Sequence, residues 1–238
     1  MKVIILSSTK YKEKDGIIDA ITESGPISFL GRGIYKPTAK NHQLVDGLLI
    51  ADVEAVTGTS NHAIVRRSKI LLNPRKPDSD YLTMSTILLL AEASKKCISQ
   101  DDYHLIFPHL ENAIISLCDS KKPWNIALVY LGKILRLNGY DLEVNACVNC
   151  GTKKGITSFS FAEGGFLCKA CTKENNINQD LTPDQMILIR DVFNAPDYLH
   201  FGAECTKENA AILLGKFKEF ISEVLGTNLS TISFFLKG

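Results

Sequence analysis

The sequence predicts a mixed α+β protein in which an amino-terminal OB-fold β-barrel is followed by a helical domain that carries an inserted four-cysteine zinc module. Three observations support this prediction: strand-like segments before residue 77, apolar residues at helical spacing after it, and two Cys-x-x-Cys pairs. The predicted domains are 1–77 for the barrel, 78–144 and 176–238 for the helical domain, and 145–175 for the zinc module.

The first third of the chain is predicted to be β structure, because β-branched runs alternate with turns marked by glycine and proline. The predicted strands are Lys2–Ser8, Ile17–Thr22, Ile27–Gly31, Leu44–Val56 and Ala63–Leu72. Gly47 inside the fourth segment indicates a bent or bulged strand. Five short strands in so few residues are typical of a small barrel of the OB type.

The remainder of the chain, apart from the cysteine module, is predicted to be helical. The predicted helices start at Asp80 or Ser85, run from Asp101 to Cys118, lie between Pro123 and Gly139, run from Thr182 to Asn194, and run from Lys207 to Leu225. Pro108 is expected to mark a first turn or a kink, because proline cannot donate a helical hydrogen bond. Thr182 and Gln185 have the spacing of a capping box with Pro183 at the first helical position.

Four cysteines form the most specific chemical motif: Cys147, Cys150, Cys168 and Cys171. They form two Cys-x-x-Cys pairs separated by seventeen residues, and two such pairs can build a tetrahedral sulfur site. Thiolates are soft ligands, so zinc or iron suits the site better than magnesium or calcium. A four-cysteine site leaves no open position for water, so we predict one structural Zn²⁺ per chain. The alternatives are two disulfides or four free thiols.

The composition is that of an ordinary globular protein, with 238 residues of which 45% are hydrophobic and 22% charged. The apolar run at the amino terminus is too short for a secretory leader, and no segment is apolar and long enough to cross a bilayer. We therefore expect a cytoplasmic, nucleoid-associated protein without a membrane partner, in which cysteine pairs favour metal over disulfides. Cys97, Cys118 and Cys205 lie in apolar helical contexts and are expected to fill the core.

Basic residues are concentrated in the predicted barrel. Residues 1–77 hold twelve Lys and Arg against seven Asp and Glu, whereas residues 78–238 hold fifteen against nineteen. Cations that follow phosphates and rings that stack on bases are what a single-strand binder needs. The predicted DNA-binding residues are Lys10, Lys12, Lys14, Arg32, Tyr35, Lys36, Lys40, Arg66, Arg67 and Lys69. The alternative is a solvated surface without a ligand.

No complete enzyme motif is present in the sequence, which has neither a phosphate loop nor a Gly-x-Ser-x-Gly elbow. His109 and Glu111 upstream of Cys147 and Cys150 are similar to a zinc deaminase pattern, but Ala146 stands where that pattern requires proline. We therefore predict that the protein is not an enzyme. A deaminase-like enzyme and a zinc-ribbon adaptor without a DNA role stay open as alternatives.

The whole chain resembles the RecO family of bacterial recombination mediators. At the amino terminus, Tyr11–Asp15, Thr22–Phe29 and Gly31–Gly33 are similar to the first three strands of the family. Leu135–Tyr140 followed by Cys147–Gly151 resembles its most recognisable junction. Further matches are Ser158–Phe159 with Gly164–Cys168 at the second cysteine pair, and Phe217–Leu236 at the carboxyl terminus.

This resemblance implies a DNA repair and recombination mediator with an OB-fold, a helical domain and a zinc module. It implies binding of single- and double-stranded DNA and annealing of complementary strands. It further implies three partners: the acidic tail of the single-strand-binding protein SSB, the mediator RecR, and RecA, which is loaded indirectly. Lys133 matches a basic position that the family uses near the SSB tail, and Arg136 lies close to it. A basic residue beside an apolar helix groove suits such a tail.

Overall fold

The computed structural model describes residues 1–56, 62–198 and 205–236, and it confirms the predicted α+β class. The chain forms two compact units, Met1–Pro123 and Trp124–Gly238. The first unit therefore includes two helices that follow the barrel, which the sequence analysis assigned to the helical domain. The domain boundaries drawn from the sequence stay predictions about independent folding units.

A closed five-stranded barrel forms the start of the first unit. Its strands are β1 (Lys2–Tyr11), β2 (Asp15–Thr22), β3 (Gly25–Gly31), β4 (Leu49–Val56) and β5 (Ala63–Leu72). Their order is β1-β2-β3-β5-β4, and antiparallel pairing of β4 with β1 closes the barrel. A short parallel pairing joins β3 to β5 at Phe29–Ala63 and Leu30–Ile64. A closed five-stranded barrel of this order is of the OB type and confirms that prediction.

The barrel interior is filled by aliphatic side chains and one phenylalanine. These residues alternate with exposed ones along the strands, as a half-buried sheet requires. The fully buried interior residues are Val3, Ile5, Ile18, Phe29, Leu44, Leu49 and Ala51. This packing makes the barrel a rigid platform for the loops and turns at its surface.

Four of the five predicted strands have different bounds in the structure: β2 and β3 each begin two residues earlier than predicted, and β1 and β4 differ more. Leu44 belongs to a 3₁₀ helix, His42–Asp46, and β4 begins only at Leu49. Gly47 separates the two elements with a φ of +89°, a conformation that favours glycine. Strand β1 extends to Tyr11, beyond its predicted end at Ser8. The prediction of one long bent strand from Leu44 was therefore wrong, and Lys10 lies on a strand rather than in a loop.

Helices α1 (Tyr81–Cys97) and α2 (Tyr103–Asp119) complete the first unit, with a 3₁₀ turn at Gln100–Asp102 between them. Asp80 is the N-cap of α1 and accepts a hydrogen bond from the Thr83 backbone at 2.6 Å. Pro108 lies inside α2, beyond its first turn. The barrel is tied to α1 by the Lys95–Asp19 ion pair at 2.8 Å and to α2 by the Lys2–Glu111 ion pair.

Helix α3 crosses into the second unit, which is helical around a small hairpin. Its elements are α3 (Pro123–Leu137), β6 (Ile156–Ser160), β7 (Gly165–Cys168), α4 (Lys169–Glu174), α5 (Pro183–Asn194), α6 (Lys207–Leu225), a 3₁₀ turn (Ser230–Ile232) and α7 (Ser233–Leu236). The predicted capping box of Thr182 and Gln185 is confirmed at the start of α5. Among the described residues, no helix combines the length and apolar character that crossing a membrane requires.

Candidate functional site

The four predicted cysteines come together in the second unit. Their sulfur atoms all lie within 4.8 Å of one another, and the Cys150 and Cys168 sulfurs are 3.7 Å apart. Tetrahedral coordination with metal–sulfur bonds of about 2.3 Å places ligand sulfurs about 3.8 Å apart. The donor set and its spacing therefore fit a four-coordinate Zn²⁺ or iron ion.

The first cysteine pair lies in a tight turn between α3 and β6. The Cys147 backbone N–H donates to the Thr152 carbonyl at 2.8 Å, and the Gly151 N–H donates to the Cys147 carbonyl at 2.8 Å. Gly151 has a φ of +72°, which favours glycine. Cys147 is buried, whereas Cys150 is exposed, so the cluster lies at the surface of the module.

The second cysteine pair is held by a strand end and a helix start, without a glycine turn. Cys168 ends β7 and is the N-cap of α4, and Cys171 lies on α4. Gly165 allows a close backbone contact just before this pair. A Cβ atom on it would lie 2.2 Å from the Glu143 carbonyl oxygen, so only glycine permits the close approach of these two backbones.

Two residues that the sequence analysis missed support the cluster. The Glu143 carboxylate accepts hydrogen bonds from the Asn145 and Ala146 backbones, at 2.7 and 3.1 Å, just before the first cysteine pair. The Arg190 guanidinium lies 5.4 Å from the centre of the Phe166 ring and donates to a backbone carbonyl at 3.2 Å. The sequence could have indicated the role of Glu143, because an acidic residue shortly before a tight turn can accept hydrogen bonds from the backbone of that turn. No sequence signal indicates Arg190, because its contact joins distant segments.

The backbone around the cluster favours thiolates at some positions. Burial acts to raise the pKa of Cys147, but N–H groups of Cys168, Cys150 and Asn149 outweigh it and lower that pKa to about 6. A hydrogen bond with Cys168, together with burial, raises the pKa of Cys171 to about 12. The four thiols therefore do not ionise together, and a cation is needed to hold all four as thiolates.

The residues of the deaminase pattern belong to different units of the chain. His109 and Glu111 lie on α2 of the first unit, and the Glu111 carboxylate forms an ion pair with Lys2. All four cysteines of the second unit supply one sulfur each to the same cluster, which closes the coordination of a tetrahedral ion. Nothing in this arrangement provides an open position for an activated water.

Five of the predicted DNA-binding residues gather at one end of the barrel, and we call them the turn cluster. The turn between β1 and β2 lies against the loop after β3, because the Tyr35 N–H donates to the Lys14 carbonyl at 3.1 Å. The Gly33 N–H also donates to the Asp15 carboxylate, at 2.7 Å. The side chains of the turn cluster are all exposed: Lys10, Lys12, Lys14, Arg32 and Lys36.

The other predicted cations lie along β5. The Ser68 hydroxyl donates to Asn41 at 2.9 Å, which brings the loop carrying Lys40 beside that strand. Arg67 lies opposite Glu54 on β4, and Lys69 lies opposite Asp52. These cross-strand carboxylates reduce the positive charge offered by β5, as the exposed Glu13 does in the turn between β1 and β2. The exposed cations of this group are Lys40, Arg66, Arg67 and Lys69.

The two tyrosines near the turn cluster differ in availability. The Tyr35 hydroxyl hydrogen-bonds with Ser8 at 3.1 Å, and its ring lies so close to Gly16 that a Cβ there would approach it to 2.7 Å. Tyr11 is 45% exposed, and the Lys12 ammonium lies 5.2 Å from the centre of its ring. Tyr11 is therefore better placed than the predicted Tyr35 to stack on a base.

Lys133 and Arg136 contact the end of α5. The Lys133 ammonium donates to the Ala195 carbonyl at 3.1 Å, and Arg136 donates to the Phe193 carbonyl at 3.0 Å and to Asp141 at 2.7 Å. Burial, followed by the nearby Arg136, lowers the pKa of Lys133. Both side chains thus satisfy carbonyls at a helix carboxyl end. Their predicted role toward a partner stays a prediction.

Fold and site together define a class of protein in which an OB-type barrel accompanies a helical unit with a four-cysteine module. The family model for the recombination protein O carboxyl-terminal region matches residues 78–231. The DNA repair protein RecO of Halalkalibacterium halodurans is 23% identical over 238 residues, which cover 97% of this chain and 91% of that protein. Those of Bacillus velezensis and Bacillus subtilis are each 23% identical over 189 residues, covering 79% of this chain and 74% of the relative. The chain therefore belongs to the recombination protein O (RecO) family.

Proposed function

We propose that this protein is a DNA repair and recombination mediator that binds single- and double-stranded DNA and anneals complementary strands. The observation that carries the proposal is the family match over residues 78–231. In the chain, this region follows a closed barrel with a cationic end. Annealing needs no nucleotide hydrolysis, because a protein that neutralises the phosphates of two strands lowers their repulsion. The role is therefore that of a mediator rather than an enzyme.

The metal in this proposal is one structural Zn²⁺ per chain, held by Cys147, Cys150, Cys168 and Cys171. The sulfur spacing supports a tetrahedral ion, and a closed thiolate site is typical of structural zinc. The bound ion supplies cross-links between the loop after α3 and the β7–α4 corner. Its contribution is to the folding of the second unit rather than to a reaction step.

The proposed partners follow the family. We propose that the protein acts with RecR to load RecA on single strands coated with SSB, in the cytoplasm at the nucleoid. Lys133 and Arg136 are proposed to contact the acidic SSB tail. Their positive charge, which is complementary to an acidic tail, supports this proposal.

The test is annealing of complementary oligonucleotides that are coated with SSB beforehand, in the absence of ATP. We expect the wild-type protein to accelerate annealing, and a turn-cluster variant with Lys10, Lys12, Lys14 and Lys36 replaced by Gln to be slower. A surface-control variant loses the same charge elsewhere, at Lys121, Lys122, Lys207 and Lys218, and is expected to match the wild type. No acceleration by the wild-type protein contradicts the proposal and favours the adaptor alternative.

A further inference from the structure

Four exposed lysines lie on the cysteine module, outside the barrel surface proposed to bind DNA. Lys153 and Lys154 lie in the loop that follows the first cysteine pair, and Lys169 and Lys173 lie on α4. All four side chains are exposed. We call this set the module lysines.

The hairpin brings the two pairs of lysines together. The Lys169 N–H donates to the Gly155 carbonyl at 2.9 Å, which fixes the start of α4 beside the loop carrying Lys154. Ile156 of β6 pairs with Cys168 of β7 at the same end of the hairpin. Lys173 follows Lys169 by one helical turn, so both lie on the same side of α4.

None of the module lysines has a partner for its ammonium group within the described part of the chain. Like charges so close together repel one another, and the carboxylate nearest in sequence is Glu174. A metal held by four thiolates has a formal charge of −2 when the ion is Zn²⁺. However, all four lysine side chains are exposed, so solvent and salt screen their attraction to the cluster. The ammonium groups thus stay available to an anion in solvent.

The chemistry of the module lysines suits a flexible chain of phosphates. Lysine is a mobile point charge on a flexible stem, so it can follow phosphates without fixing their orientation. Phosphate contacts position a strand without reading its sequence. This is the kind of contact that a protein needs for a strand whose bases must stay free to pair.

We propose that the module lysines bind the sugar–phosphate backbone of a second DNA strand, separately from the strand bound by the barrel. This inference rests on the proposed annealing function and deepens it. One chain with two strand sites turns the encounter of two strands into an intramolecular event, which raises their effective concentration. Annealing by a single chain then needs no second copy.

The test counts strands bound per chain at low salt, by native mass spectrometry with an oligonucleotide of about eight nucleotides, which fills one OB-type site. The module variant has Lys153, Lys154, Lys169 and Lys173 replaced by Gln. It is compared with the wild type, the turn-cluster variant and the surface control, and the metal content of each protein is measured. We expect two strands on the wild type and the control, and one on each of the other two variants.

The annealing rate of the module variant is expected to fall at least about tenfold, with unchanged metal content. The inference is overturned if the wild type binds only one strand, or if the module variant binds as many strands as the control. It is also overturned if the variant loses its metal, because the lysines then serve the cluster. Absence of binding by every protein contradicts the proposed function as well, so the two failures are distinguishable.

Discussion

Gly165 shows how one residue shapes the cysteine module. Its φ of +155° and the 2.2 Å approach of a virtual Cβ to the Glu143 carbonyl oxygen leave no space for a side chain. Gly155 also has a positive φ, +64°, but open space surrounds its Cβ position. A comparison of Gly165 with Gly155 therefore separates the free-energy cost of the backbone conformation from the cost of a steric clash.

Replacing Gly165 with alanine is expected to lower the free energy of unfolding by about 3 kcal/mol, because strain and overpacking combine. Gly155→Ala, the matched control, is expected to cost about 1 kcal/mol from its backbone conformation. Denaturant unfolding of the metal-loaded proteins measures both. Equal losses for the two variants contradict the role given to the Gly165–Glu143 contact.

Asp19 links stability to pH in the first unit. Burial acts to raise the pKa of its carboxyl, but hydrogen bonds and charge from Lys95, with further bonds from Ser7 and Ser28, lower that pKa below its usual value. Because the pKa is lower in the folded state, this stabilisation is present above the unfolded pKa of about 4 and is lost as the pH falls through the folded value.

We therefore expect Asp19→Asn to reduce stability by about 1 kcal/mol at pH 7, a value limited by the partial exposure of the ion pair. The difference from the wild type is expected to shrink in acid, as the wild-type carboxylate becomes protonated. Urea unfolding at a series of pH values tests this, with Asp78→Asn at an exposed site as the control. A stability difference between Asp19→Asn and the wild type that does not change with pH contradicts the lowered pKa of Asp19.

Lys133 is proposed to contact the SSB tail and is not among the residues proposed to bind DNA. Charge reversal to Glu removes its contact with the Ala195 carbonyl and repels an acidic tail. We expect the affinity for an SSB tail peptide to fall at least about tenfold, while DNA affinity changes less. Lys207→Glu provides the same change of charge elsewhere in the second unit, and melting curves exclude unfolding. Equal losses for the peptide and for DNA contradict the tail site.

The two cysteine pairs bring the loop after α3 close to the β7–α4 corner. Cys147, Cys168 and Cys171 are buried together with Leu167 in a small core. Ile156 and Ile177 pack against this core. This core is small, so we expect metal binding to contribute a large part of its folding free energy. The module is therefore expected to depend on its ion in a way that the barrel does not.

Chelation of the metal, or Cys147→Ser, is expected to lower the melting temperature of the second unit by several degrees. About 1 kcal/mol corresponds to roughly 4–8 °C in a unit of this size. Cys118→Ser is the control, because that thiol lies in the first unit and outside the cluster. Calorimetry with and without chelator measures the transition. An unchanged melting temperature after metal removal contradicts the structural role of the ion.

The sequence predicted some elements well, for identifiable physical reasons. The helix from Lys207 to Leu225 was predicted with the bounds that the structure has, because an apolar stripe ends at Gly226, whose φ is +61°. The cysteine cluster was predicted from spacing alone. The 3₁₀ helix at His42–Asp46 was not, since apolar residues on both sides of Gly47 look like one strand until its positive φ is known.

Tertiary contacts decided what the sequence left open at the sites. The turn cluster could not be separated from the cations of β5, because the separation depends on register opposite Glu54 and Asp52. Packing of Tyr35 over Gly16 was likewise not predictable from composition. Local patterns therefore indicated the residue types of the proposed DNA surface, and pairing between strands shows which of them have carboxylates opposite.

The two compact units have separate proposed roles. The barrel end has exposed cations that are proposed to bind a strand, and the second unit has the cysteine module with exposed lysines of its own. Each DNA contact proposed for a lysine or arginine is to phosphate, so DNA affinity is expected to depend on salt rather than on base sequence. This property distinguishes a mediator from a sequence-specific binder.

The most direct test is the salt dependence of binding to a fluorescent single-stranded oligonucleotide. We predict binding to the wild-type protein at low salt, with a log–log slope that becomes shallower by about 0.7 for each phosphate contact removed in the turn-cluster variant. The surface control is predicted to keep the wild-type slope. Absence of binding by the wild-type protein even at low salt, or equal slopes for all three proteins, contradicts the account.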